Sequence, residues 1–268
     1  MSIRTNPDPL LEYMSMAPLP LAFERALEAR IFSTLHFDRP VLDIGCGDGL
    51  FAKIVFREPV DTGIDPNVRE LDRARELGAY HELIECFGDA VPKADGTYRT
   101  IFSNSVMEHI PDLEPVVEEA YRLLSPAGRM YVTVPTDRFE HFTAINRVLM
   151  ALGFERLSRR YRAFYNSFWR HYHCLSPAAW HDLMRGCGFE LVASHTYDPP
   201  SVCLLNDLLV PFSGPGALVK RVTNRWTLFP SVRRTVLYPV HAAVQRLLER
   251  GTRAEDGGLL FLSLRKPS

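Results

Sequence analysis

Residues Val41 to Leu50 read VLDIGCGDGL, a short apolar strand that carries an acid, Asp43, and runs into glycines at every second position, Gly45, Gly47 and Gly49. Glycine reaches backbone dihedrals that a Cβ disfavours and lets a ligand lie directly on the main chain, so a strand ending this way builds a floor for a small molecule. The spacing narrows the ligand. A dinucleotide fingerprint requires G-x-G-x-x-G, and its last required position is here Leu50; a Walker loop requires a Gly-Lys-Ser/Thr, which does not follow.

Outward from this loop the chain alternates. A strand at Val41 to Ile44 leads to a helix at Leu50 to Arg57, a strand at Val60 to Ile64, and a helix from Pro66 that stops at Gly78. Strands follow near Leu83 to Phe87 and at Thr100 to Asn104, then a helix at Asp112 to Leu124, a Ser125-Pro126-Ala127-Gly128 turn and a strand at Arg129 to Val134. Ser176 and Pro177 open a further helix to Cys187, and strands are expected at Phe189 to Thr196 and Gly258 to Arg265. Such alternation predicts a parallel sheet covered on both faces. Leu19 to Leu35, apolar at helical intervals, reads as a helix ahead of this core that lies over the ligand mouth.

Asp43-Ile44-Gly45-Cys46-Gly47-Asp48-Gly49 matches D/E-x-G-x-G-x-G, and on that motif the chain resembles the class I S-adenosylmethionine-dependent methyltransferases of the broad type-11 group. The resemblance covers about residues 38 to 197 and the last strand. It implies an α/β fold, a Rossmann-like seven-stranded, mostly parallel sheet with helices on both faces. It also implies a single methyltransferase domain over 1–268: an N-terminal helical segment (1–37), a cofactor-binding core (38–135), a lid insertion (136–175), the rest of the core (176–197 and 258–268) and a C-terminal cap insertion (198–257). The implied cofactor is S-adenosylmethionine, held by Asp43, Gly45, Cys46, Gly47 and Gly49 under its methionine and ribose. Asp65 with Pro66 would meet the ribose diol, Asp89 with Ala90 the adenine, and Asn104 with Ser105 the methionine portion. Each acid also has a plainer reading: Asp43 and Asp89 as turn residues, and Asp65 followed by Pro66 as a helix cap and first turn.

Ser103 to His109 follows the fourth strand at the carboxyl edge of the sheet, where ligands collect in open α/β folds. Glu108 and His109 are thereby candidates to take a proton from an acceptor hydroxyl, with His173 a third, or else they cap a helix end or meet solvent. Residues 159 to 173, RRYRAFYNSFWRHYH, form the densest mix of aromatic and basic side chains and are expected to close over the acceptor, with Tyr161, Tyr165, Trp169, His171 and His173 in contact. His171-Tyr172-His173-Cys174 lacks the remaining ligands of a recognised metal spacing, so no metal is expected. The His171 to Trp180 segment and the lid before it more loosely resemble methyltransferases of glycan and lipid-saccharide biosynthesis. That resemblance implies O-methylation of a sugar or lipid-linked glycan; the alternatives are a quinone or other small aromatic acceptor, a non-catalytic cofactor-binding protein, or a membrane-associated scaffold.

With 268 residues, 46% hydrophobic, the chain has the length for one decorated α/β domain, and a net charge of −1 gives no global case for nucleic-acid binding. Five cysteines form no C-x-x-C pair, which favours a reducing, cytoplasmic setting, and the start, with Asn6, Pro7, Asp8 and Pro9, is not a signal peptide. No run of about eighteen apolar residues is evident, so no spanning helix is expected. The segment from 198 to 257 instead mixes apolar pieces, Trp226, Phe229 and Tyr238 with Lys220, Arg221, Arg225, Arg233, Arg234, Arg246 and Arg250. It reads either as an interfacial anchor, placing the protein peripherally on the inner face of a membrane, or as a capping subdomain or dimer surface with solvated arginines.

Overall fold

The computed structural model describes residues 2–6, 9–249 and 251–268, so Pro7, Asp8 and Arg250 lie outside the described residues. Two helices precede the sheet, α1 (Leu10–Met16) and α2 (Leu19–Ser33). The core then runs β1 (Val41–Ile44), α3 (Leu50–Val55), β2 (Val60–Asp65), α4 (Val68–Leu77), β3 (Tyr80–Glu85), β4 (Tyr98–Asn104), α5 (Glu114–Leu123) and β5 (Leu124–Pro135). A helical hairpin follows, α6 (Ala144–Ala151) and α7 (Glu155–Trp169), then α8 (Pro177–Gly186) and β6 (Glu190–Tyr197). Three more helices, α9 (Pro200–Leu209), α10 (Gly214–Thr223) and α11 (Pro230–Leu248), lead to β7 (Leu259–Arg265).

The seven strands form one sheet in the order β3-β2-β1-β4-β5-β7-β6. All pairings are parallel up to β5; β7 runs antiparallel to both β5 and β6. The alternation legible in the sequence therefore yields the expected mostly parallel sheet, and β1 at its centre is buried throughout, as a strand covered on both faces must be. Period-two alternation divides β7 between the two layers: Leu260, Leu262 and Leu264 pack with Trp180 and Met184 on one side, Leu259 and Phe261 with Phe32 and Phe37 on the other.

Local signals set most helix ends. Ser176 Oγ accepts a hydrogen bond from Ala179 N at 3.3 Å with Pro177 in the first turn, and Gly78 closes α4 in the left-handed region (φ +60°). Two boundaries depart from expectation. Strand β3 begins at Tyr80 rather than Leu83. The Ser125 to Gly128 turn is absorbed into β5, whose register against β4 shifts between Tyr98 and Thr100, with Ala127 at φ +60°.

The segments 136–175 and 198–257 are both largely helical. Helix α11 packs on α1, and α9 packs on α2. From Pro200 to Thr223 the chain is a helical run of 24 residues that contains an apolar stretch of 18. By length and composition alone this run could cross a membrane; it is interrupted by Gly and Pro at 211, 214, 215 and 216, so it does not read as one apolar run in the sequence.

Candidate functional site

At the carboxyl edge of β1 the three glycines all take positive φ: +78° at Gly45, +51° at Gly47 and +73° at Gly49. A Cβ at Gly45 would overlap the Val106 side chain, while one at Gly47 would meet nothing within 4 Å. The loop thus presents bare backbone on its open side. Gly45 N and Cys46 N both donate to Ile64 O at 2.9 Å, fastening the loop to β2. Cys46 is buried, and burial raises its thiol well above the ordinary range, so it fills space in the loop.

Asp43 is buried, with its Oδ2 accepting from the Tyr80 hydroxyl at 2.6 Å. The Tyr80 ring reaches it by crossing β2 at Gly63, where a Cβ would lie 2.8 Å from the ring. Burial pushes the Asp43 carboxyl up to about 7 against the lowering effect of that hydrogen bond. Asp43 therefore braces the loop from beneath. Neither Tyr80 nor Gly63 stood out in the sequence: Asp43 lies two strands from Tyr80, and Gly63 matters only as the gap between them.

Asp65 is not the helix cap. Asn67 takes that place, its side chain accepting from Arg69 N at 3.1 Å. Asp65 sits between loop and helix, Oδ2 accepting from Gly47 N at 3.0 Å and Oδ1 from Asn67 N at 2.8 Å. Pro66, Asp89 and Ala90 are exposed along the same edge, and Phe87, 70% exposed, stands beside Asp89. An apolar ring next to a carboxylate suits the flat face and polar rim of a purine, and acids flanking a bare glycine floor suit a ribose, so these residues fit S-adenosylmethionine.

Asn104 and Ser105 are tied to α2 through their side chains, and Ser105 also lines the cavity described below. Asn104 Nδ2 donates to Glu28 Oε2 at 2.8 Å, and Ser105 Oγ donates to Glu28 Oε1 at 2.8 Å. Glu28, on α2, is fully buried; it also receives Arg25 Nη1 at 2.6 Å and the Tyr197 hydroxyl at 3.1 Å. A carboxylate removed from water needs its lone pairs filled, and Asn104 and Ser105 fill two of them. The Glu28 network did not figure in the sequence reading of this helix, which rested on its apolar positions. The available signal was that alanines and leucines occur all round this helix, so a charge among them is enclosed.

Beyond Ser105, the 3-10 turn Met107–His109 and the lid form one unit, since Glu108 O accepts from Tyr172 N at 2.7 Å and His173 N at 3.3 Å. Together with α2, α9 and α10 they enclose a cavity of about 390 Å³. Its walls are mainly apolar, with Leu21, Phe139, Trp169, Val210, Trp226 and Leu259 prominent; its polar groups include Glu24, Arg25, Glu108, His109 and His171. Of the expected acceptor contacts, Tyr165, Trp169 and His171 line it. Tyr161 stands behind Tyr165, ring centroids 6.2 Å apart. His173 does not line the cavity; its Nε2 donates to Ile110 O at 2.9 Å.

The remaining titratable groups are tuned by enclosure. Glu108 is buried, its carboxyl pushed up to about 8 by loss of water, and its Oε2 has no partner among the described residues. His109 is lowered by burial, and His171 is lowered to about 4 by burial and by His109, whose ring lies 5.2 Å away. Glu24 is pushed up to about 7, burial outweighing the opposing charge of Arg25 and being reinforced by Glu28. At neutral pH the cavity thus holds two neutral imidazoles beside a protonated carboxyl. His109 Nδ1 is 3.2 Å from Arg170 O, and a carbonyl only accepts, so Nδ1 carries the proton and Nε2 keeps a lone pair.

Comparison with known proteins agrees with this geometry. The family described as a methyltransferase domain matches residues 19–194. A ubiquinone biosynthesis O-methyltransferase of Pectobacterium carotovorum is 32% identical over 120 residues, 41% of this chain and 45% of that protein. The chain thus spans less than half the length of the curated relatives it matches. Among solved structures, an S-adenosylmethionine-dependent methyltransferase of Thermotoga maritima shares the fold at TM-score 0.54 and 16% identity, covering 92% of this chain and 91% of that one. Phosphoethanolamine N-methyltransferase 2 of Haemonchus contortus, solved with S-adenosylmethionine, aligns at TM-score 0.56 and 16% identity over 94% of this chain and 54% of its own.

Proposed function

Because the chain belongs to the class I S-adenosylmethionine-dependent methyltransferases, we propose that it methylates a hydroxyl of a phenolic or quinol-type ring carrying an apolar extension. The observation that carries this reading is the 390 Å³ cavity, whose large wall side chains are aromatic or aliphatic, with the Glu108, His109 and His171 cluster among its polar groups. A sugar, the first expectation from the aromatic and basic lid, would need a hydrogen-bonding partner for each hydroxyl, and most of the lid's arginines are exposed on the surface. The quinone-directed name of the Pectobacterium relative supports the same preference.

Bound over the glycine loop, S-adenosylmethionine supplies a methyl group activated by the positive charge of its sulfonium. Asp65 and Asp89 hold its ribose and adenine, and the Asp43–Tyr80 brace keeps the loop in shape. Trp169, Tyr165 and Phe139 orient the acceptor ring and exclude water, which contributes through proximity. As the acceptor oxygen takes the methyl group and the sulfonium S–C bond breaks to leave a neutral thioether, His109 Nε2 would receive the hydroxyl proton and the protonated Glu108 would donate a hydrogen bond to an adjacent ring oxygen.

Methyl-labelled cofactor offered with a prenylated catechol, the same ring without its chain, and a lipid-linked sugar tests the proposal. Label is expected on the phenolic oxygen, with the prenylated ring used best. Label on the sugar alone would overturn it.

A further inference from the structure

Twenty of the 24 large hydrophobic side chains exposed among the described residues lie in two segments, 145–169 of the lid and 208–247 of the cap. Soluble surfaces do not normally concentrate such groups. On α11, Phe229, Val232, Val236, Val240 and Leu247 recur at intervals of three, four and seven, which places them along one exposed stripe beginning at the helix start. On α6, Ile145, Val148 and Leu152 share a face, and on α7 so do Leu157, Phe164 and Phe168.

The charge in these segments is one-sided. Residues 144–171 hold six arginines and one acid, and residues 200–249 hold six basic residues and two acids, in a chain whose net charge is −1. Some of these cations are used internally. Lys220 meets Asp48 at 3.3 Å and Glu70 at 3.1 Å, Arg225 meets Glu76 at 3.3 Å, and Arg162 bonds Ser158 at 2.8 Å. Arg147, Arg156, Arg159, Arg160 and Arg170 on the lid, with Arg221, Arg234 and Arg246 on the cap, remain exposed beside the apolar side chains.

We propose that the lid hairpin and the cap helices form a docking face for the surface of an anionic lipid bilayer. Apolar side chains enter the acyl boundary while the arginines meet the headgroups, the complementarity expected of an interfacial helix. The 24-residue run from Pro200 to Thr223 lies along the membrane rather than through it. Val202 and Cys203 are buried against the fold, and Asp207 Oδ2 accepts from Ala144 N at 2.8 Å, contacts that a crossing helix would have to break. Both segments also line the cavity, through Tyr165 and Trp169 on one side and Val210 and Ala217 on the other. The face holds whichever acceptor is methylated.

Flotation of the full chain with vesicles tests it without reading turnover. Vesicles of phosphatidylcholine mixed with phosphatidylglycerol should carry the protein upward, those of phosphatidylcholine alone much less, and added salt should release it. Phe164→Asp with Phe168→Asp, Val232→Asp with Val236→Asp, and Arg159→Glu with Arg160→Glu should each cut the floated fraction by about fivefold or more. All these residues are exposed and lie outside the cavity, so melting temperature and cofactor affinity should match the parent and certify the fold. Absence of flotation, equal flotation of folded variants, or a dimer that the same substitutions dissociate with no vesicle binding would overturn the proposal. So would resistance to alkaline extraction, which marks a crossing helix.

Discussion

The glycine-loop half of the site and the acceptor half differ in what builds them. Around Gly45, Gly47 and Gly49 the site is built of backbone shape and of an acid one strand away, Asp65, bonded to Gly47 N. The acceptor cavity is assembled from side chains of α2, the Met107–His109 turn, the lid and the cap, parts separated by up to two hundred residues. A site made of local backbone tolerates little variation and reads as a motif. One made of distant side chains is free to change with the substrate, and no short pattern records it.

Four experiments test that contrast, from the largest expected effect to the smallest. Glu28 joins the two halves, so Glu28→Ala should destabilise the fold by about 3–5 kcal/mol, because Arg25 would stay enclosed without its main partner. Urea unfolding measures this, and a loss below about 1 kcal/mol would show that the halves are independent. Gly45→Val meets both a positive φ and the Val106 side chain. It should weaken cofactor binding about a hundredfold in calorimetry, and near-parent affinity would mean that the loop's backbone shape is dispensable.

His109→Gln should lower kcat by about a hundredfold with cofactor affinity within about twofold of the parent, since it removes a proton acceptor from the acceptor half alone. Its ring is held below the ordinary histidine range by burial, so parent activity should persist on acidification past the usual imidazole value and fall further down. A profile unchanged by the substitution would exclude it as the base. The smallest effect concerns Glu108, whose carboxyl is pushed up to about 8. An unfolded glutamate ionises at about 4.3, so across that window the native chain holds a proton the unfolded one has released, and stability falls as pH rises, by up to about 1.4 kcal/mol per unit. Glu108→Gln should flatten this slope in urea midpoints taken one pH unit apart inside the window; an unaltered slope would assign it elsewhere.

The same contrast explains what the amino-acid sequence disclosed. Strands β1, β2 and β4, the Gly78 stop and the Ser176 cap were legible because each depends on neighbours within a few residues. The early start of β3 was not, because Tyr80 joins the strand to place its hydroxyl on Asp43. Asp65 showed itself as important, but its cap role belongs to Asn67, two residues on, since Asp65 is drawn to Gly47 N. Glu28, Arg25 and the ties of Asn104 and Ser105 to α2 stayed hidden, as no spacing rule links residue 28 to residue 105. His173 read as a second lid histidine facing the acceptor, whereas a carbonyl on the neighbouring turn captures it.

The Tyr80 hydroxyl bond has one more consequence. Strand β3 is the outer edge of the sheet, with His81, Glu82 and Glu85 exposed, and an edge strand has few side chains to fix its alignment. Because successive residues face opposite sides, a slip of β3 by one position against β2 would carry the phenol into the other helical layer. Asp43 would then be enclosed with no donor, a penalty felt at the centre of the sheet for an error made at its rim. Tyr80 thereby acts as an alignment peg, and deleting a single residue between Gly78 and Leu83 should be far less tolerated than the exposure of that strand suggests.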